Sequence, residues 1–108
     1  MAPVLAQSAA HGKTIFESVC GACHGLDANR VGPALRGVLG RPAGTAPDFS
    51  YSVALSKAHH VWDRSKLNAW LTDPEKLVPG QAMGFQSERA TDRADVVAYL
   101  ATQKATQK

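Results

Sequence analysis

Cysteine is almost absent: the 108-residue chain holds two, Cys20 and Cys23. Aromatic residues are scarce as well, at 6%, so few large rings are available to fill a centre. No apolar run approaches the roughly 20 residues that a membrane-spanning helix needs, which predicts a chain that is not membrane-embedded. The apolar start, MAPVLAQ, is short and has no charged leader, so it is not a whole signal peptide. VLAQ reads as the tail of one, or Met1 as a start residue set ahead of a mature chain. Basic runs are missing too. The twelve Lys and Arg are scattered singly and the net charge is +3. That pattern argues against nucleic-acid binding. It fits a solvated surface, with weak steering toward acidic partner proteins as the sharper reading.

What is present reads as one globular domain, with 44% hydrophobic and 19% charged residues. A domain this small buries a modest share of its surface and is often helped by a staple or a cofactor. Residues 1–10 read as a flexible lead-in, 11–103 as the domain and 104–108 as a tail. From Gly12 the spacing of Ile15, Phe16, Val19 and Cys20 predicts a helix, which Gly21 and Gly25 weaken. The stretch from Asp27 to Phe49 reads as loop, because Gly32, Pro33, Gly37, Gly40, Pro42, Gly44 and Pro47 all fall within it. So long a loop in so small a domain suggests that it wraps something. A short helix is predicted over Ser52–Ala58 and a firmer one over Asp63–Asp73, with Asp63 or Ser65 as N-cap and Pro74 as its stop. Pro79-Gly80 reads as a turn. The last helix runs from Thr91-Asp92 to near Gln103, with Ala94, Val97, Ala98 and Ala101 on one face. No strand pattern or internal repeat is convincing, so the class is all-α.

The cysteines lie in Cys20-Gly21-Ala22-Cys23-His24, and four chemistries compete for them. A Cys20–Cys23 disulfide closes a very short loop and stabilises little. A redox dithiol of the thioredoxin type belongs in a βαβ setting, which is absent. Zinc needs two further ligands, and the other histidines, His11, His59 and His60, are poorly spaced for it. Covalent c-type haem attachment is the remaining reading, for which Cys-x-x-Cys-His is the signature. Two thiols three residues apart reach the vinyl groups on one porphyrin edge, and His24 then falls under the iron. A macrocycle also supplies the core that the few aromatics do not, with the 27–49 loop wrapped around it.

A haem held by His24 needs a ligand on its other face or an open site. Met83 is the only methionine besides Met1. A lone methionine is usually core filler, but opposite a haem histidine it is the standard partner in cytochromes c and raises the reduction potential. His59 or His60 is the alternative ligand.

In the order and spacing of its motifs the chain resembles the class I cytochromes c, the monohaem electron carriers of mitochondria and bacteria. The resemblance spans about Gly12 to Gln103. It rests on Gly12 and Phe16, Cys20-Gly21-Ala22-Cys23-His24, Gly32-Pro33-Ala34-Leu35, Gly40-Arg41, Tyr51-Ser52, Trp62, Pro79-Gly80-Gln81-Ala82-Met83 and Ala98-Tyr99-Leu100. It implies an all-α fold of about four to five helices and long loops around one haem c, bound through Cys20 and Cys23. His24 and Met83 would be the axial ligands and the Pro33 carbonyl would orient His24. Arg41, Tyr51 and Trp62 would serve the haem propionates, and Gly12 would let the first helix approach the last, where Phe16 meets Tyr99 and Leu100.

The chain also departs from the mitochondrial pattern. Leu55, Trp70 and Gln81 stand where an asparagine, a tyrosine and a threonine form a polar network beside the methionine, so Trp70 joins the haem-lining residues. Val19, Glu75 and Ala82 stand where lysines ring the haem edge. The expected function is a monomeric single-electron carrier, not an enzyme, exchanging electrons with membrane or soluble oxidoreductases. The low lysine count favours the bacterial periplasm over the mitochondrial intermembrane space. The alternative is a peroxidase-like enzyme or gas sensor in which Met83 is labile.

Overall fold

A computed structural model describes residues 8–105 of the chain. The readings made of residues 1–7 and 106–108 lie outside the described residues. Five α-helices follow in order: α1 (Ala9–Ser18), α2 (Val53–Ser56), α3 (Arg64–Thr72), α4 (Pro74–Leu77) and α5 (Ala90–Thr102), with a 3-10 turn at Cys20–Ala22 after α1. Among the described residues the only strand-like pairing is an isolated antiparallel bridge, Pro42 with Val61. No described helix is long and apolar enough to cross a membrane.

Helix α1 begins at Ala9, three residues before the periodicity predicts, because the Ser8 side chain caps it by accepting from the His11 backbone N–H. Asp63 caps α3 in the same way, accepting from Lys66 N at 2.7 Å. Pro74 ends α3 as expected and also opens α4, where its missing N–H costs nothing. Asp73 caps that turn by accepting from Lys76 N.

The frame is the crossing of α1 and α5. Gly12 makes it possible: a Cβ there would lie 1.9 Å from the Asp95 carbonyl oxygen. Beside it the Phe16 and Tyr99 rings meet at 5.6 Å, tilted by 49°. Both rings are buried, with Val96, Val97 and Leu100 from α5 and Leu67 and Trp70 from α3 in the same core.

A polar pin closes the outer side of this crossing. Asp95, buried on α5, accepts from Ser8 N at 2.8 Å and from the His11 ring Nδ1–H at 2.7 Å. These bonds hold the Asp95 carboxyl below the usual carboxylate range, the Ser8 backbone bond contributing most and the His11 side chain next. A depressed folded value means that the ionised carboxylate stabilises the fold above the unfolded value of about 3.9. That stabilisation is lost as pH falls through the folded value. Asp95→Asn should therefore cost about 1–2 kcal/mol at pH 7. Guanidinium unfolding at pH 7 and in strong acid should show the gap between variant and parent closing in acid.

Candidate functional site

The 3-10 turn presents the two thiols. Cys23 N and His24 N both donate to the Cys20 carbonyl, at 3.0 and 2.8 Å, which carries the chain from α1 directly into His24. Both cysteines are free thiols, Cys20 half-buried and Cys23 exposed. Burial is the largest influence on Cys20 and pushes its thiol pKa up; the neighbouring Cys23 raises it further, and a backbone hydrogen bond opposes both.

His24 is gripped from the following loop. Its Nδ1–H donates to the Pro33 carbonyl at 2.8 Å, as the sequence predicts. A carbonyl only accepts, so the proton sits on Nδ1 and the Nε2 lone pair is available to a metal. Burial lowers the imidazole pKa and keeps the ring neutral, against the opposing pull of the Pro33 bond. The ring lies against Gly32, where a Cβ would come within 2.2 Å of His24 Cε1. Gly32 is itself fixed, donating through N–H to the Cys23 carbonyl and accepting at its own carbonyl from Arg30 N, each at 2.8 Å. The Arg30 guanidinium also donates to the Gly21 carbonyl, so one arginine ties both sides of the cysteine turn.

The far part of the 27–49 loop is held by a short ladder. Gly40 N donates to the Trp62 carbonyl at 2.7 Å, Trp62 N to the Arg41 carbonyl at 3.0 Å and Ala43 N to the His60 carbonyl at 2.9 Å. The ladder places Arg41 and Trp62 side by side in the chain's fold. Trp62 is buried and meets Trp70 edge-on at 5.4 Å. Tyr51 accepts from Ala46 N through its hydroxyl at 2.9 Å, which leaves the phenolic proton to donate elsewhere. The Arg41 Nε is buried with no hydrogen-bond partner, and desolvation lowers the guanidinium pKa. A buried guanidinium N–H in that state calls for an anion.

Met83 is half-buried and packs against the core, as do Leu55, Leu35 and Cys20. Its backbone N–H donates to the Gln81 side-chain oxygen at 2.5 Å. His59 is exposed. His60 is half-buried, sets its ring edge-on to Trp62 at 4.4 Å and has a buried Nε2 without a partner. Of the two histidines offered as the alternative ligand, only His60 is even half-buried. Two bracing residues carry no motif signature for that role. Asn29 accepts from Ala34 N at 2.9 Å and donates to the Pro47 carbonyl at 2.8 Å. Glu75 accepts from Gly80 N and from the Gln81 side chain, next to the methionine segment.

These groups fit a covalently bound haem. Two free thiols three residues apart are followed by a neutral imidazole whose second nitrogen is unspent, and a buried cationic N–H awaits an anion. The zinc alternative lacks its ligands: among the described residues no three His, Cys, Asp or Glu side chains converge as a metal site.

Comparison with known proteins agrees. The family model for cytochrome c matches residues 9–104. The chain is 46% identical over 99 residues to cytochrome c of Euglena viridis, covering 89% of this chain and 97% of that one. It is 43% identical over 115 residues to a cytochrome c2 of Rhodopseudomonas palustris, covering 91% and 100%. Among solved structures, cytochrome cH from Methylobacterium extorquens superposes with a TM-score of 0.83 at 42% identity, covering 88% of this chain and 98% of that one. Members of this family carry electrons and are not enzymes. This chain belongs to the cytochrome c family, as a single-electron carrier with one haem c attached through Cys20 and Cys23.

Proposed function

We propose that His24 and Met83 are the axial ligands of the haem iron and that the chain works as a monomeric carrier in a bacterial periplasm. The observation that carries the ligand reading is the 2.8 Å bond from His24 Nδ1–H to the Pro33 carbonyl, which commits one ring nitrogen and leaves the other for iron. When bound, the haem supplies reversible one-electron chemistry at its iron. The chain's own residues decide what that iron can do. A filled sixth position excludes substrate. Pro33 steadies the proximal ring and raises its basicity. The buried Arg41 N–H and the Tyr51 hydroxyl proton are donors for the propionates, and Trp62 offers its indole N–H. Leu55 and Trp70 make the surroundings of the methionine drier than the polar network of mitochondrial relatives.

The bacterial relatives, cytochrome c2 and cytochrome cH, support the periplasmic placement. Electrons pass at the edge near the thioethers. There Val19, Glu75 and Ala82 are exposed where mitochondrial relatives carry lysines, so docking relies less on acidic partners than theirs does. Carbon monoxide titration of the ferrous holoprotein separates this reading from a gas sensor or peroxidase. A carrier should stay unligated at submillimolar carbon monoxide. Stoichiometric binding there would overturn the reading.

A further inference from the structure

The backbone of the segment that carries Met83 is tied at its two ends. Among the described residues no backbone–backbone hydrogen bond is made by residues 82–86. Downstream, Ser87 N donates to the Leu71 carbonyl at 2.7 Å, and Arg93 holds Ser87 by donating to its carbonyl at 2.7 Å and to Asn68 Oδ1 at 2.9 Å. Upstream, Gln81 N donates to the Val78 carbonyl at 3.1 Å across the Pro79-Gly80 turn, and side chains carry the tie from there to Met83. Gln81 Oε1 accepts from Met83 N at 2.5 Å. Gln81 Nε2 in turn donates to Glu75 Oε1 at 3.2 Å, and the other carboxylate oxygen, Oε2, accepts from Gly80 N at 2.7 Å.

One carboxylate therefore spans the Pro79-Gly80 turn and orients the amide that grips the Met83 backbone. The turn packs closely on α2. Gly80 sits at φ +92°, and a Cβ there would already be 3.2 Å from Ala54 Cβ on α2. The residue type matters because this job needs two acceptors. A lysine, as the mitochondrial pattern has here, offers none.

We propose that Glu75 is a positioning residue for Met83: through Gln81 and Gly80 it holds the methionine segment closed and disfavours release of the thioether. This rests on the reading of Met83 as an axial ligand. Glu75 touches neither ligand and acts only through the Gly80 N–H and the Gln81 side-chain amide.

The test is an imidazole titration of the ferric holoprotein, followed by the near-infrared sulfur-to-iron band that imidazole abolishes when it displaces the methionine. Glu75→Ala should raise the apparent imidazole affinity by roughly tenfold, the scale expected for losing a pair of charge-assisted hydrogen bonds. Glu75→Gln keeps one acceptor and should fall between the two. Glu17→Ala, which removes an exposed charge on α1, should leave the affinity unchanged. Amide exchange at Gly80 and Met83 should quicken in Glu75→Ala and not in Glu17→Ala. A band present in the parent, with Glu75→Ala binding imidazole no more tightly, overturns the clamp alone. An equal rise in Glu17→Ala also overturns it, as a plain charge effect. A parent without the band overturns the ligand reading, and the clamp with it.

Discussion

Met83→Ala should yield a protein that still takes up haem covalently, yet loses its sulfur-to-iron band and has a reduction potential lower by on the order of 0.1–0.3 V. Attachment depends on Cys20, Cys23 and the turn that presents them, and that turn is built from its own backbone bonds to the Cys20 carbonyl. None of it involves residue 83. With Met83 as the proposed ligand, the potential would depend on its thioether, a soft, weak donor that favours ferrous over ferric iron. Axial ligands as a group span ~0.8 V, so losing one is expected to move the couple by a sizeable part of that range. The vacated position would admit water, imidazole or carbon monoxide, turning a carrier into a binder. Voltammetry and a carbon monoxide titration on the same sample check both halves. An unchanged potential would mean that another side chain serves the iron.

Gly12→Ala should be the most destabilising single-methyl change in the protein. The added carbon would sit 1.9 Å from the Asp95 carbonyl oxygen, 2.5 Å from its carbon and 2.9 Å from Tyr99 Cβ. The first two are backbone atoms of α5 and cannot rotate aside, so the helices must part. Parting them loosens the Phe16–Tyr99 contact and the bonds from Ser8 and His11 to Asp95 together. Overpacking of this kind costs typically 1–3 kcal/mol and occasionally more. Alanine's better helix propensity returns about 1 kcal/mol. With backbone on backbone the upper end applies, and we expect a net loss of about 2 kcal/mol. That is a large share of the 5–15 kcal/mol typical of a folded domain. The guanidinium midpoint of the holoprotein reads it directly.

How much of this was legible in the sequence depends on how local each cause is. Cys20, Cys23 and His24 announce themselves because covalent attachment fixes their spacing in the chain. The α3 cap at Asp63 and the stop at Pro74 are equally local and came out as read. The His24–Pro33 bond joins residues nine apart and was reachable through family resemblance. The start of α1 was not, since Ser8 acts through a cap while the apolar periodicity begins only later. The pin between His11 and Asp95 was also hidden, because it joins residues 84 apart and neither belongs to a motif. Glu75 illustrates the same limit. Sequence marks it only as a missing lysine, and its grip on Gly80 and Gln81 exists only once the Pro79-Gly80 turn has folded back on α4.

The near-infrared absorption of the ferric, unmodified holoprotein at neutral pH tests the proposed ligand pair most directly. A histidine and a thioether on the same iron predict a low-spin spectrum with a weak sulfur-to-iron band. A high-spin spectrum, or a low-spin one without that band, would contradict the assignment of Met83 opposite His24.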